Sequence, residues 1–307
     1  MHTAYLTHPA CLRHDMGDWH PESPARLRAI DDRLHAAHLY DFLDHHEAPR
    51  VTREQLLRVH DAAYVDAIEA ASPTEGRVAL DPDTHMNPHT LEAARRAAGG
   101  ATHAVDLVMR GAVANAFVAC RPPGHHATRN RAMGFCFFNN VAVAAAHALA
   151  VHGLARIAIV DFDVHHGNGT EAIFRDEARV LLCSTFQHPY YPFSGADSAS
   201  AHIVAVPLPA GTAGPAYREA FAAQIRPRLD AFGPQFVFCS AGFDGHREDD
   251  MAQFGLVEAD YVWITEQVMA VAARHADGRI VSVLEGGYDL SSLGRSAAAH
   301  IRTLAGL

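Results

Sequence analysis

The segment Asp161-Phe162-Asp163-Val164-His165-His166-Gly167-Asn168-Gly169 sets acidic and imidazole groups at alternate positions. Where a chain leaves a strand, side chains two apart point the same way, so Asp163 and His165 can share a metal ion. A purely structural account would make the aspartates helix caps and the histidines surface residues. Charges packed at a strand terminus, however, need a partner or an ion. Asp244, in Ala241-Gly242-Phe243-Asp244-Gly245, is the best third ligand because it too follows an apolar run. Two carboxylates and one imidazole suit Zn2+ with a position left for water, and an oxygen-rich set also tolerates Fe2+.

A second segment, Arg121-Pro122-Pro123-Gly124-His125-His126-Ala127, holds two adjacent imidazoles behind a stiff approach, and one of them can act as general base. Catalytic histidines are oriented through their second ring nitrogen, and Asp161 and Asn168 are side chains of the right types for that task. His125 paired with Asp161 should stay basic, while His126 facing Asn168 should stay neutral enough to accept a proton. In Leu284-Glu285-Gly286-Gly287-Tyr288-Asp289 the two glycines can place Tyr288 over the site, where a phenol stabilises an oxyanion. Taken alone, such a turn is more often a packed ring.

These segments need a frame. Short β-branched or apolar runs at 3–6, 116–119, 157–160, 180–183, 202–206, 236–239 and 280–284 alternate with longer stretches at 24–38, 88–110, 140–152, 215–232, 258–275 and 290–304. The alternation predicts strand–helix units in an α/β fold with a mostly parallel sheet, without linker or repeat, as one domain over 1–307. Five of the runs are followed by polar chemistry: RPPGHH, DFDVHH, ST, GFD and EGGY. Ligands bind beyond the carboxyl ends of parallel strands, so these segments should meet at one site.

Composition narrows the class. At 49% hydrophobic and 20% charged the chain has ample material for a covered sheet, and a net charge of −10 argues against a nucleic-acid surface. The five cysteines, Cys11, Cys120, Cys136, Cys183 and Cys239, contain no C-x-x-C pair and read as buried thiols. Nothing resembles a leader or a membrane span, so no membrane contact and a cytoplasmic location are expected. The 23 histidines nearly match the 25 arginines, which make up the whole Lys-plus-Arg count, more imidazole than packing requires.

RPPGHHA, GFCFFNN, DFDVHHGNGT, SAGFDGH and LEGGYD, in that order, resemble the histone deacetylase superfamily. HPESPARL and LDPDTHMNPHTLEAA extend the likeness toward the class II and bacterial branch, which includes histone deacetylase-like amidohydrolases and acetylpolyamine amidohydrolases. The resemblance implies an arginase/deacetylase-like three-layer sandwich. It implies zinc on Asp163, His165 and Asp244, His126 as general base, His125 as its electrostatic partner, and Tyr288 polarising the acyl carbonyl, with Asp161 and Asn168 behind the histidines. It also implies a structural K+ held by Asp161, the carbonyls of Asp163 and His165, and Ser184 with Thr185. Gly134, Phe135, Tyr191, Met251 and His20 would meet the substrate, and Arg26 would stand near a product channel.

Two positions refine the expectation. Asn168 replaces the aspartate usual in class I, and Tyr288 is the residue of the competent branch, where some class II members carry histidine. The implied reaction is attack of metal-activated water on an acyl amide, with His126 taking the proton and returning it to the leaving amine. The substrate is an acyl-lysine or an N-acetylpolyamine. Met251 at the gatekeeper position favours the former, although Glu248, Asp249 and Asp250 beside it could supply the acidic gate of a polyamine enzyme. An arginase-type ureohydrolase would need two manganese ions and more carboxylates. An acyl-lysine binding module and an acetoin-utilisation-type protein share the fold, and a homo-oligomer stays open.

Overall fold

Apolar runs and Ala-rich stretches resolve into ten strands and ten α-helices among the described residues, 2–198 and 200–307, of a computed structural model. The strands are β1 Thr3–Thr7, β2 Asp44–Glu47, β3 Val78–Asp81, β4 Thr84–Met86, β5 Asn115–Val118, β6 Ile157–Asp161, β7 Val180–Gln187, β8 Ile203–Leu208, β9 Phe236–Ala241 and β10 Ile280–Leu284. The helices are α1 Ala25–Ala36, α2 Arg53–Leu57, α3 Ala62–Ala71, α4 Thr90–Met109, α5 Asn140–Val151, α6 Asn168–Phe174, α7 Gly214–Ala220, α8 Arg226–Phe232, α9 Glu258–His275 and α10 Leu290–Leu304.

Eight strands form one sheet in the order β2-β1-β5-β10-β9-β6-β7-β8, every pair parallel. The inner strands β5, β6, β7, β9 and β10 are buried throughout, as an all-parallel sheet covered by helices on both faces requires. This is the three-layer arginase/deacetylase-like sandwich. Its edges are blunted: β2 reads Asp-His-His-Glu and is largely exposed, and β8 carries Pro207. The five strands that precede polar chemistry are neighbours in the middle of the sheet, in the order β5-β10-β9-β6-β7 rather than their order in the chain.

Three features differ from expectation. β7 runs on to Gln187, so Ser184 and Thr185 lie inside the strand rather than after it. The helix expected over 215–232 contains a π-turn at Phe221–Ile225, just before Pro227. Proline lacks an N–H and its ring would crowd the carbonyl of Ala223, and the widened turn accommodates both. Finally, β2, the β3–β4 hairpin, α2, α3 and α6 add to the expected elements.

Candidate active site

The ends of β6 and β9 bring Asp163, His165 and Asp244 together, with one ligand atom from each lying within 4.8 Å of the others. His165 Nδ1 is 2.9 Å from Asp163 Oδ1 and 3.2 Å from Asp244 Oδ2. Backbone donors aim the carboxylates: His165 N and Gly286 N donate to Asp163, and Val164 N to Asp244. Among the described residues the buried Asp244 Oδ2 makes no hydrogen bond, only the 3.2 Å ionic approach of His165 Nδ1, a costly arrangement unless a cation completes it. A Cβ on Gly286 would stand 2.0 Å from that oxygen, so the turn after β10 closes a cradle around the donors. Burial and Asp163 push the Asp244 carboxyl up to about 6. Burial opposes the charge on His165, yet its two carboxylate partners push it up to about 10. Donors that hold protons in this way exchange them for a cation, and the set fits a divalent ion.

The RPPGHH loop after β5 stands against this cluster. His125 Nδ1 donates to Asp161 Oδ2 at 3.0 Å, and His126 Nδ1 to Asn168 Oδ1 at 2.7 Å. The Asn168 amide nitrogen faces Met133 Sδ, so its oxygen faces His126 and the lone pair of that ring lies on Nε2. Burial works against a charged His125, but Asp161 and Asp163 outweigh it and hold its pKa well above the ordinary value. Burial, reinforced by His125 and His165, holds His126 well below it.

A cavity of about 200 Å³ opens onto this group, walled by His126, His165, Tyr288, Gly134, Phe135 and Tyr191, with Asp83, Tyr190 and Met251 completing the lining. Gly134 takes φ +55°, and a Cβ there would meet the His126 ring at 2.4 Å. Tyr288 stands edge-on to Phe135 and under the Arg26 guanidinium, whose central carbon is 4.9 Å from the ring centre. Burial raises the phenol well above its ordinary pKa, so it is a donor at neutral pH. His20 does not line the cavity. It packs behind Phe135 with a ring separation of 4.5 Å, its Nε2 3.0 Å from the Asp83 carbonyl.

Arg26 is wholly buried and donates to the carbonyls of Gly287 and Glu285 and to Glu22. Asp161 and Ser184 are partners in the β6–β7 register. Ser184 Oγ is 3.1 Å from His166 Nδ1, and the Thr185 hydroxyl is 2.5 Å from the Tyr217 hydroxyl. A second group of metal-ligand type, Asp106, His147 and His152, lies between α4 and α5. There Arg58 donates to His147 Nδ1, so Nε2 carries the hydrogen given to Asp106, and the group is a hydrogen-bonded staple.

A family model described as the histone deacetylase domain matches residues 20–304. The chain belongs to the histone deacetylase family. The histone deacetylase-like amidohydrolase of Pseudomonas aeruginosa is 37% identical over 329 residues, which cover 99% of this chain and 86% of its own. The polyamine deacetylase HDAC10 of Mus musculus is 37% identical over 302 residues, covering 93% of this chain and 45% of its own. The crystal structure of the HDA15 HD domain superposes with a TM-score of 0.94 at 36% identity, covering 99% of this chain and 88% of that one.

Within this histone deacetylase-family site, sequence reasoning gave no role to several side chains. Glu285 is buried and accepts from the N–H groups of Gly124 and His125, clamping the histidine loop, and burial pushes its carboxyl up to about 7. Its signal was available, since it is an acid directly after an apolar run, like Asp161. Glu22 sits between Arg26 and Arg121, both fully buried. Asp83, pushed up to about 6 by burial and Asp81, lines the cavity from the β3–β4 turn. Nothing local marked it, because its place depends on how the hairpin packs.

Proposed function

We propose that this chain, acting as one catalytic unit, is a metal-dependent deacylase that hydrolyses the amide between an acyl group and a lysine side chain. The observation that carries the reading is the meeting of His126, His165 and Tyr288 on the walls of one small cavity. Asp163, His165 and Asp244 would hold the divalent ion, Zn2+ by the tetrahedral preference of such a set and Fe2+ as the alternative. When bound, that ion supplies Lewis acidity, acidifying water and polarising the acyl oxygen.

The protein's own groups account for the rest. His126 Nε2, free to accept, takes the proton of the attacking water and returns it to the amine as the C–N bond breaks. Tyr288 donates its phenolic hydrogen to the acyl oxygen as charge develops there. His125, kept charged by Asp161, lowers the cost of that negative charge and restrains the basicity of its neighbour. Gly134, Phe135 and Tyr191 would flank the acyl-lysine chain, with His20 supporting Phe135 from behind. Arg26 would stand beside the product path, and Asp161, the carbonyls of Asp163, His165 and Thr185, and Ser184 would hold K+. Five buried free thiols support a reducing, cytoplasmic setting.

Met251 on the cavity wall, with Glu248 engaged by Arg295, supports acyl-lysine over polyamine. Asp83 keeps N-acetylpolyamine as the second reading, since a carboxylate in the cavity lining can receive an ammonium as well as a peptide N–H. Turnover of an acetyl-lysine peptide and an N-acetylpolyamine by metal-loaded protein decides between them, with Asp163→Asn as control. We expect the peptide to be preferred and the control to be silent. Silence of the loaded wild type on both would favour longer acyl chains or a binding module.

A further inference from the structure

The acidic run Glu248-Asp249-Asp250 turns only its middle residue inward: Asp249 is 4% exposed, whereas its two neighbours face solvent. Both of its carboxylate oxygens are consumed by backbone donors from two separate segments. Oδ2 accepts from Tyr288 N at 2.6 Å and Asp289 N at 3.0 Å, and Oδ1 accepts from Met251 N at 3.0 Å. The Met251 carbonyl is held in turn by the Tyr190 hydroxyl at 2.6 Å. Tyr288 needs such a tether, because Gly286 and Gly287 precede it and Gly287 adopts φ +120°, a region that few other residues would stabilise.

We propose that Asp249 is a positioning residue that fixes the Tyr288 hydroxyl over the reacting carbonyl and, through the same carboxylate, sets Met251 on the cavity wall. This rests on the deacylase reading, in which Tyr288 is the oxyanion donor. A carboxylate is the one side chain of this length with acceptors at both ends. In Asp249→Asn a single carbonyl oxygen can serve one segment, while the amide hydrogens confront N–H groups of the other. Asp249 therefore acts through Tyr288, and its loss should be felt at the chemical step.

The test is a double-mutant cycle of Asp249→Asn with Tyr288→Phe, read as kcat and KM on an acetyl-lysine peptide at matched metal content. Displacing a catalytic group by a fraction of an ångström to an ångström costs up to about 100-fold, so we expect kcat of Asp249→Asn to fall about 30-fold with KM within about threefold. In the Tyr288→Phe background the same change should cost no more than about twofold. Equal losses in both backgrounds, or an unchanged kcat, would overturn the proposal while leaving the deacylase reading intact. A wild type silent on every acyl amide would overturn both. Amide hydrogen exchange of the wild type needs no variant: Tyr288 and Asp289, though in a loop, should exchange at least about tenfold more slowly than exposed Asp250. Equally fast exchange would refute the tether.

Discussion

Behind His126 stands an amide and behind His125 a carboxylate, and in the proposed deacylase this difference would divide the work between two adjacent imidazoles. A general base must be neutral to accept a proton, and burial, with His125 and His165 beside it, holds His126 well below the ordinary histidine value. The acid limb of kcat/KM against pH should therefore lie below the ordinary histidine value near 6.5. Asn168→Asp would set a carboxylate against Nδ1, stabilise the imidazolium and move that limb upward by about one to three pH units. An unmoved limb would remove His126 from the base role. At this scale the sequence was most informative where chemistry sits next to a strand, as at Asp163, His165 and Asp244. Asp249 and Asp83 were less so, because what they bind belongs to distant turns and neither spacing nor residue type announces it.

Turns decide how closely the strands' cargo can approach. The Gly286 turn after β10 donates its N–H to Asp163 and leaves room for Asp244, and a methyl group there would press on the unpartnered oxygen. Gly286→Ala should keep the fold yet weaken metal binding by about tenfold or more, the scale seen when groups supporting a ligand are disturbed. Titration of metal-stripped protein followed by calorimetry would measure it, and an unchanged affinity would show that the cradle yields. The seven expected strands were legible because each is a short β-branched or apolar run, and five of them end in polar residues. β2 was not, since all four of its residues are polar and it exists only by pairing with β1. The π-turn before Pro227 was half legible: the proline was plain, but a helix that widens and continues looks in sequence like one that stops.

Across the whole molecule the net charge of −10 sets a field that draws cations toward the cavity that Asp83 helps to line. Turnover of lysine-rich peptides should then lose about three- to tenfold in kcat/KM between ~20 and ~500 mM salt, with kcat nearly constant, as screening shortens the reach of that field. A salt-independent kcat/KM would mean that local contacts alone recruit substrate. The sheet order has a further consequence. Among the described residues β10 is the last strand, yet it lies between β5 and β9 and alone joins the β2-β1-β5 side of the sheet to the β9-β6-β7-β8 side. A ribosome emits the chain from the amino end, so both histidine-bearing and ligand-bearing strands emerge while the slot between β5 and β9 still gapes. Synthesis thus delivers the Tyr288 phenol and the clamping Glu285 only with the strand that fills that slot, after the histidine loop and the Asp163-His165-Asp244 group have emerged.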